Sequence, residues 1–268
     1  MTAVMPSELI SGMIEAARTA GSGLCEDFLR LASLEIKHKV GLADPFTAAD
    51  LRAEETVRSM LAAARPDYGF LGEEGGLIEG SDTANVWIVD PLDGTANFLR
   101  GLPFFAVNIA LARDGEAIAG VTHVPMMDET FWAEKGKGAF LNGTPIRVSG
   151  RREMIQTLLA VGIPFAGKPH HDRFIAEMAH LTPRVSGIRR LGAGAIDLAF
   201  VACGRFDAYW EQSVCAWDIA AGAIIVSEAG GTVTGTRGEA LDLMGGTLLA
   251  ATPGIHAELL EALSPVEA

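Results

Sequence analysis

The pattern of apolar residues changes near Gly150, and this change limits the possible folds more than any other feature of the 268-residue chain. Before Gly150, short apolar runs follow one another closely and are separated by Asp114-Gly115 and Asn142-Gly143, which are typical of hairpin turns. After Gly150, helical patterns alternate with short apolar runs. The sequence therefore predicts one domain, with an N-terminal α+β half of about residues 1–150 and a C-terminal α/β half of about residues 151–268.

The spacing of the apolar residues predicts the individual elements. One long helix is expected from Ser7 to about Lys37, and a second is expected to open at Thr47 or Asp50 and to run to about Arg65. The strands predicted in the first half are Asn85–Asp90, Phe105–Arg113, Ala117–Val124 and Glu129–Glu134. In the second half we predict helices at His171–Leu181, Ala195–Cys203, Ile219–Ala229 and Ile255–Leu263, with strands at Leu158–Gly162, Asp207–Trp210 and Thr247–Ala251.

The charge and the cysteines argue against several classes of protein. Asp plus Glu outnumber Lys plus Arg by 34 to 21, and the resulting net charge of −13 disfavours direct nucleic-acid binding but suits a protein that holds divalent cations. The three cysteines form no CxxC pair, so neither a zinc site nor a disulfide scaffold is expected. Because the N-terminus lacks a signal pattern and no apolar run is long enough to span a bilayer, we expect a cytoplasmic protein without a membrane partner.

Four acidic segments carry the candidate chemistry: Asp44 to Asp50, Glu73-Glu74, Asp90 to Thr95, and Trp217-Asp218. In the third segment an apolar strand delivers Asp90, Pro91 is expected to end the strand, and Asp93 returns three residues later on a turn. Gly94 permits an unusual backbone angle, and Thr95 can open a short helix. Two carboxylates on such a turn suit a hard cation such as Mg²⁺. Taken singly, the same residues also suit a plain turn, a solvated glutamate loop and a helix cap.

Taken together, these segments occur in the order and spacing of the inositol monophosphatase family. One family signature resembles the stretch Trp87-Ile88-Val89-Asp90-Pro91-Leu92-Asp93-Gly94-Thr95-Ala96-Asn97-Phe98. The other resembles Trp217-Asp218-Ile219-Ala220-Ala221-Gly222, followed by Glu228-Ala229-Gly230-Gly231. The resemblance runs from about Ala17 to the C-terminus and, through the segment from Phe131 to Phe140, is greatest to the bacterial inositol-1-monophosphatases.

The resemblance implies a layered α/β/α/β/α sandwich of the inositol monophosphatase and fructose-1,6-bisphosphatase type, usually as a homodimer. It implies two or three Mg²⁺ ions per active site, with the ligands Glu73, Asp90, the Leu92 carbonyl, Asp93 and Asp218. The implied catalytic pair is Thr95 with Asp50, supported by Glu74. The implied substrate-binding residues are Asp93, Gly94 and Thr95 at the phosphate, Glu211 and Gly192-Ala193-Gly194 at the alcohol, and Asp218.

The function implied by the resemblance is Mg²⁺-dependent hydrolysis of a small polyol phosphate, most of all inositol-1-phosphate, by a water that the metal activates, with sensitivity to lithium. Enzymes accelerate phosphate monoester hydrolysis by up to ~10²¹, whereas one general base supplies only about 10²–10⁴. Histidinol-phosphatase, 3′(2′),5′-bisphosphate nucleotidase and fructose-1,6-bisphosphatase activities are alternatives within the superfamily. A regulatory protein-binding role with vestigial catalysis is an alternative of a different class.

Two further segments bear on the substrate. Arg189-Arg190 directly precedes the glycine-containing substrate segment, so it is a candidate contact for phosphate or polyol. Pro45 and Phe46 stand between Asp44 and Thr47, where the family often reads Asp-x-Val-Thr. Pro45 should stiffen this loop, which weakens the case for a third metal ion there. Lys39, just upstream, is a further candidate contact for the phosphate.

Overall fold

The computed structural model describes residues 4–31, 36–38 and 45–264. Within these ranges the α-helices are Glu8–Phe28 (α1), Ala48–Ala64 (α2), Thr95–Leu99 (α3), His171–Leu181 (α4), Gly194–Ala202 (α5), Ala216–Glu228 (α6) and Pro253–Leu263 (α7). The strands of the first half are Ile36–His38 (β1), Pro45–Thr47 (β2), Tyr68–Gly72 (β3), Gly76–Ile78 (β4), Asp82–Asp93 (β5), Ala106–Arg113 (β6), Glu116–Val124 (β7), Glu129–Glu134 (β8), Ala139–Leu141 (β9) and Thr144–Ile146 (β10). The strands of the second half are Leu158–Val161 (β11), Gly187–Arg189 (β12), Ala208–Gln212 (β13), Thr232–Thr234 (β14) and Thr247–Ala251 (β15).

Two large sheets organise the molecule. The first has the strand order β10-β9-β8-β7-β6-β5-β3-β4, and all its neighbours are antiparallel except β3 and β5. The second has the order β12-β11-β13-β15-β14, in which β11 runs parallel to β12 and β13. The short strands β1 and β2 pair with each other. The meander predicted before Gly150 is therefore present as β5 to β10, and the positive φ angles at Asp114-Gly115 and Asn142-Gly143 confirm their hairpin turns.

Helices cover both sheets and fill the space between them. Apolar side chains of α1 and α2 pack with the first sheet in one core cluster, and those of α5 and α6 lie between the two sheets in another. Helices α4 and α7 pack on the outer face of the second sheet. The layers therefore run α/β/α/β/α, which confirms the predicted sandwich. Along β13 the side chains alternate between the two cores, since Tyr209 lies in the inner core and Trp210 in the outer one.

Helix α6 occupies the centre of these layers. Every residue from Ile219 to Val226 is buried, as expected for a helix that is apolar on all sides. Its close approach to the first sheet depends on Gly120, where a Cβ atom would lie 2.7 Å from the carbonyl oxygen of Ala221. The N-terminus of this central helix carries Asp218. The position of that carboxylate is therefore fixed by both sheets at once.

The prediction of one helix from Ser7 to about Lys37 is wrong. Helix α1 ends at Phe28, whose ring contacts Phe98 and Phe105 at centroid distances of 5.6 and 5.2 Å. The next residue, Leu29, is 84% exposed, so the buried face that stabilises the helix stops there. The segment Ile36–His38 is a strand instead. Helix α2 is confirmed, with Thr47 as its N-cap.

Pro91 does not end the strand that begins before it. Strand β5 continues to Asp93, but its register with β6 shifts between Asp90 and Asp93. Pro91 has no N–H group to donate to a neighbouring strand, and a bulge is the usual way in which a strand accommodates this loss. The short strands β3, β4, β9, β10, β12 and β14 were not predicted. None of the helices in the described ranges is both long and apolar enough to span a bilayer.

Candidate active site

Asp90 and Asp93 lie at the bulged end of β5. The Oδ1 atom of Asp90 accepts a hydrogen bond from the backbone N–H of Leu92 across the bulge (2.9 Å). The Oδ2 atom of Asp93 accepts one from the N–H of Ala195, in the first turn of α5 (2.7 Å). A bulge re-aims side chains that would otherwise alternate between the two faces of a sheet. Backbone donors therefore fix the direction of both carboxylates.

Gly94 and Thr95 turn the chain from β5 into α3. Gly94 has a φ of +90°, and a Cβ atom there would lie 2.7 Å from the carbonyl oxygen of Phe104, so only glycine fits. Helix α3 begins at Thr95, as predicted. The Nδ2 atom of Asn97 donates to the carbonyl oxygens of Phe104 and Leu191, both at 2.8 Å. The turn that presents Thr95 is therefore bonded to the loop that precedes α5.

The Thr95 hydroxyl lies beside Asp50 at the start of α2. Its Oγ1 atom is 3.3 Å from Oδ1 of Asp50 and 3.0 Å from the carbonyl oxygen of Leu92. The Oδ2 atom of Asp50 accepts both the N–H and the hydroxyl of Thr47, each at 2.8 Å, and so closes a capping box. Burial raises the pKa of Asp50, while the two bonds from Thr47 oppose the shift. The structure thus brings together the Thr95 and Asp50 side chains that the sequence suggested as a pair.

Asp218 lies in the first turn of α6. Its Oδ2 atom accepts the backbone N–H of Cys215 (2.7 Å), so the residue does take part in a helix cap. On β6, the Nδ2 atom of Asn108 donates to the carbonyl oxygen of Trp217 (2.7 Å). Asn108 also pairs with Asp90 in the sheet register. The same asparagine therefore ties the start of α6 to the end of β5.

Glu73 and Glu74 form the turn between β3 and β4. The N–H of Glu73 donates to the carbonyl oxygen of Val89 on the neighbouring β5 (3.1 Å). The N–H groups of Glu74 and Gly75 both donate to the carboxylate of Glu54 on α2, at 2.9 and 2.7 Å. The turn is thus bonded on two sides, unlike the solvated glutamate loop that its composition also allowed.

Four carboxylates gather here, and we call Glu73, Asp90, Asp93 and Asp218 the acidic cluster. Burial raises the pKa of Asp90 well above its ordinary value, and the charges of the other three members raise it further. Burial raises the pKa of Asp93 to about 7, although the bond from the backbone of α5 opposes the shift. The pKa of Asp218 is also raised well above its ordinary value, first by burial. A positive charge bound among these carboxylates would lower the pKa of all three aspartates.

The donor chemistry of the acidic cluster fits a hard divalent cation. Carboxylate and carbonyl oxygens are the ligands that Mg²⁺ prefers, and a cation would remove the repulsion among the carboxylates. However, no group of three or more His, Cys, Asp and Glu side chains in the described ranges is already arranged to hold a metal ion.

A cleft of about 160 Å³ opens beside Asp93 and Asp218. Its other lining residues are Val161, Gly162, Ile163, Phe165, Arg190, Gly192, Ala193, Gly194, Asp197, Tyr209 and Glu211. A larger cleft of about 300 Å³ lies between α6 and the turn that joins β6 to β7, and none of the predicted site residues lines it. The smaller cleft is therefore the candidate active site, because it borders the acidic cluster and contains the predicted alcohol-binding residues.

Glu211, on β13, reaches this cleft between two glycines. A Cβ atom at Gly162 would overlap with the Glu211 carboxylate, and one at Gly194 would lie 3.9 Å from its Oε2 atom. The Tyr209 hydroxyl donates a hydrogen bond to Oε2 of Glu211. Burial raises the pKa of Glu211, while the bond from Tyr209 and the positive charges of Arg190 and Lys168 oppose the shift. Gly162 leaves the space in which this carboxylate sits, and Gly194 leaves space for the Tyr209 hydroxyl that bonds to it.

Residues 5–267 match the inositol monophosphatase family. The chain belongs to this family. An inositol-1-monophosphatase from Caulobacter vibrioides is 50% identical over 254 residues, which cover 94% of this chain and 99% of that protein. A Nus factor SuhB from Pseudomonas aeruginosa is 40% identical over 256 residues, which cover 94% of each. The extragenic suppressor protein suhB from Bartonella henselae has the same fold, with a TM-score of 0.93 at 43% identity, covering 97% of this chain and 99% of that one.

Membership of the inositol monophosphatase family confirms three predictions. The resemblance drawn from the two signature segments is correct, and so is the layered fold. The prediction of a phosphatase that acts on phosphate monoesters is also confirmed. The family is metal-dependent, in agreement with the donor chemistry of the acidic cluster. The individual roles of the site residues stay predictions.

Several residues that line the inositol monophosphatase cleft were missed. Asp197 is buried on α5, its Oδ1 atom has no hydrogen-bond partner in the described part of the chain, and burial raises its pKa well above the ordinary value. Ile163 and Phe165 lie on a loop without a recognisable motif. Among the other lining residues, Arg190 was a candidate from the sequence, because it directly precedes the substrate segment. Its positive charge lowers the pKa of Glu211. Lys39 and Asp44 lie outside the described residues.

Proposed function

We propose that this chain is a Mg²⁺-dependent phosphatase of small polyol phosphates, with inositol-1-phosphate as its principal substrate. One observation carries the proposal. Asp93 and Asp218 of the acidic cluster line a cleft whose other lining includes Glu211 and the Gly192-Ala193-Gly194 segment, and Thr95, two residues after Asp93, is bonded to Asp50. This arrangement supplies a place for cations, a polar group for a water and a carboxylate for alcohol hydroxyls.

The cation-binding role falls to the residues with oxygen donors around the bulge. We assign it to Glu73, Asp90, the Leu92 carbonyl, Asp93 and Asp218. Bound divalent cations would neutralise the substrate phosphate, lower the pKa of the attacking water and stabilise the departing alkoxide. The burial of Asp90 and Asp218 supports this assignment, because burial raises the pKa of both groups and the neighbouring carboxylates raise each further.

Thr95 orients the water that attacks phosphorus. Its hydroxyl has one proton to donate and two acceptors within reach, Oδ1 of Asp50 at 3.3 Å and the carbonyl oxygen of Leu92 at 3.0 Å. A cation bound to the Leu92 carbonyl would leave this proton to Asp50. The lone pairs of Oγ1 can then accept a hydrogen bond from the water. Asp50 cannot turn away, because the N–H and the hydroxyl of Thr47 hold its other oxygen. Glu74 supports this pair from the neighbouring turn.

The phosphate and the alcohol occupy different ends of the cleft. We place the phosphate at Asp93 with the backbone N–H groups of Gly94 and Thr95. The alcohol lies against Glu211 and the Gly192-Ala193-Gly194 segment, with Asp218 between the two parts. A buried carboxylate such as Glu211 accepts hydrogen bonds from hydroxyl groups, which a hydrocarbon or aromatic alcohol cannot supply in the same number.

The test is phosphate release from a panel of substrates with and without Mg²⁺. Inositol-1-phosphate should be the best substrate among inositol-1-phosphate, histidinol phosphate, adenosine 3′,5′-bisphosphate and fructose 1,6-bisphosphate. Removal of Mg²⁺ by a chelator should abolish release, and added Mg²⁺ should restore it. Equal turnover with and without Mg²⁺ would disprove the metal assignment. A preference for histidinol phosphate would leave the metal assignment intact and change only the substrate.

Lithium sensitivity and a homodimer belong to the same proposal. Li⁺ is small and hard, so it should replace one Mg²⁺ after hydrolysis and trap the product, which gives uncompetitive inhibition. Purely competitive inhibition would argue against this order of events. Light scattering of the purified protein should give twice the mass of 28.2 kDa. The cytoplasmic location stays a prediction.

A second candidate function rests on the relatives named Nus factor SuhB. Those names suggest that a protein of this fold can act through binding a partner. An Asp93→Asn variant separates the two functions, because it should lose hydrolysis and keep the surface of the protein. Binding of both wild type and variant to purified bacterial RNA polymerase would support a non-catalytic role, and binding of neither would leave hydrolysis as the function.

A further inference from the structure

Glu54 lies one turn after Asp50 on the buried face of α2. Its side chain is only 7% exposed, and its carboxylate accepts two backbone hydrogen bonds from the turn between β3 and β4. Oε2 accepts the N–H of Glu74 (2.9 Å), and Oε1 accepts the N–H of Gly75 (2.7 Å). Since residues four apart share one face of a helix, α2 presents Asp50 and Glu54 to the same region.

The turn itself is shaped to receive this carboxylate. A Cβ atom at Gly75 would lie 2.8 Å from Oε1 of Glu54, and one at Gly72 would overlap with Oε2. Gly75 does not have a positive φ, so its backbone does not by itself require glycine. Two small residues at these positions therefore leave room for the Glu54 carboxylate.

The turn leads into β4, which is the edge strand of the first sheet, and Leu77 and Ile78 on β4 are 60% and 47% exposed. On the inner side, the N–H of Glu73 is bonded to the carbonyl oxygen of Val89. Glu73 is thus held between β5 and the carboxylate of Glu54.

We infer that Glu54 is a positioning residue that holds the Glu73–Glu74 turn in place for cation binding. It acts through the backbone of the turn, from the same helix that carries Asp50. Helix α2 therefore sets the distance between the water-orienting pair and the one member of the acidic cluster that lies on an edge hairpin. The inference rests on the proposed function, because that function assigns Glu73 as a metal ligand.

The chain offers a matched control. Glu228 at the end of α6 also accepts two backbone N–H groups of a glycine turn, from Gly136 and Gly138, both at 2.8 Å. It lies ten residues after Asp218, or about 15 Å along the helix axis. A Glu228→Gln change makes the same chemical alteration at a site that borders the larger cleft and not the acidic cluster.

The experiment measures binding of Mn²⁺ alone by electron paramagnetic resonance, together with amide hydrogen exchange. In Glu54→Gln the side-chain NH₂ group cannot accept an N–H, so at least one bond to the turn is lost. We expect faster exchange at Glu74 or Gly75 and Mn²⁺ binding weakened about 10- to 100-fold, the range for residues that orient metal ligands. Glu228→Gln should exchange faster at Gly136 or Gly138 and bind Mn²⁺ as the wild type does.

Wild-type Mn²⁺ affinity in Glu54→Gln, despite faster exchange in the turn, would overturn the inference. Equal losses of affinity in both variants would also overturn it, because they would indicate general destabilisation. If Glu54→Gln does not fold, Gly75→Ala tests the same contact with Glu54 retained, and its added methyl should also weaken Mn²⁺ binding. A wild-type protein that binds Mn²⁺ but does not hydrolyse polyol phosphates would refute the proposed function. The inference about Glu54 would then be decided by the Mn²⁺ affinities of the variants alone.

Discussion

The acidic cluster and the rim of the cleft differ in what holds their side chains. Asp90, Asp93 and Asp218 each accept a backbone N–H group at the end of a strand or the start of a helix. The rim, formed by Ile163, Phe165 and Arg190, lies on the loops that follow β11 and β12. Ile163 and Phe165 are 37% and 42% exposed.

This difference separates the chemistry of the site from its selectivity. Groups that bind cations must stay in place throughout the reaction, and backbone bonds from rigid elements provide this constraint. Groups that contact a variable alcohol are better placed on loops, which accept sequence changes without disturbing the core. We therefore expect substitutions in the acidic cluster to abolish turnover for every substrate, and substitutions on the alcohol side to change which substrate is preferred.

The largest effect is expected for Asp93→Asn. The amide keeps the size of the side chain and can still accept the N–H of Ala195, so the fold should persist. It lacks the charge that a divalent cation requires, and kcat should fall by at least about 10³-fold, more than the loss typical of residues that only orient metal ligands. Steady-state kinetics at several Mg²⁺ concentrations measure this loss. If the variant keeps the wild-type rate at low Mg²⁺, Asp93 is not a cation ligand.

A smaller loss is expected for Thr95→Ala. The change removes the hydroxyl beside Asp50 and leaves the cluster intact, so kcat should fall by about 10²-fold while KM changes little. This pattern indicates an interaction made mainly in the transition state.

Hydrolysis in ¹⁸O-labelled water provides the accompanying test, because direct attack places one solvent oxygen in the phosphate and inverts the configuration at phosphorus. Net retention, or a trapped phosphoenzyme, would contradict the water mechanism.

Glu211→Gln should change selectivity more than rate. Its carboxylate faces the alcohol end of the cleft, and hydrogen bonds to charged groups contribute about 1.5–3 kcal/mol, which corresponds to about a 10- to 100-fold change. The ratio of kcat/KM for inositol-1-phosphate to that for an aryl phosphate should fall by about tenfold or more. Phe165→Ala on the exposed rim serves as a comparison, and its effect should again depend on the substrate. If Glu211→Gln lowers kcat/KM equally for both substrates, Glu211 acts in the hydrolysis itself and not in the choice of substrate.

The smallest effect on turnover is expected for His123→Gln, which lies away from the cleft. His123 is buried against Gly21 of α1, where a Cβ atom would lie 2.7 Å from its ring, and burial lowers its pKa to about 4, with Arg18 adding to the shift. Below pH 6.5 the unfolded chain binds a proton at this histidine that the folded chain does not bind. Wild-type stability should therefore fall, relative to the variant, as the pH drops from about 6.5 to 4, by at most about 3 kcal/mol.

Urea unfolding at several pH values measures this difference. Turnover at neutral pH should be the same in both proteins, which separates acid sensitivity of the fold from titration of the acidic cluster. Parallel stability curves for wild type and variant would show that His123 does not titrate differently in the folded chain.

The residues of the acidic cluster carry a clear signal in the sequence for a physical reason. Asp90, Asp93 and Asp218 stand next to glycines, prolines and helix starts, and these leave a clear local pattern. The helices of the second half were also predicted closely, because they are long enough to show a period. The alternation of strands and turns was sufficient to predict the meander.

Other features of the structure could not be predicted from short stretches of the sequence. The end of α1 depends on the contacts of Phe28, and its partners Phe98 and Phe105 are 70 and 77 residues further along the chain. Pro91 predicts the end of a strand, but pairing with β6 carries β5 past it as a bulge. Asp197 and Phe165 line the cleft, and Glu54 reaches the Glu73–Glu74 turn, because the fold brings distant segments together. A single sequence does not show such contacts.

The enclosure of α6 between the two sheets has a consequence for how the molecule unfolds. The residues from Ile219 to Val226 are all buried, and the most exposed side chain among them, that of Ile224, is only 6% exposed, so we expect their amides to exchange mainly when the sheets separate. Asp218 sits at the tip of the helix and cannot leave the cleft by a local opening. In a denaturant titration, loss of activity should therefore coincide with the global transition, and the rim loops should become accessible to protease at lower denaturant concentrations than those that inactivate the enzyme.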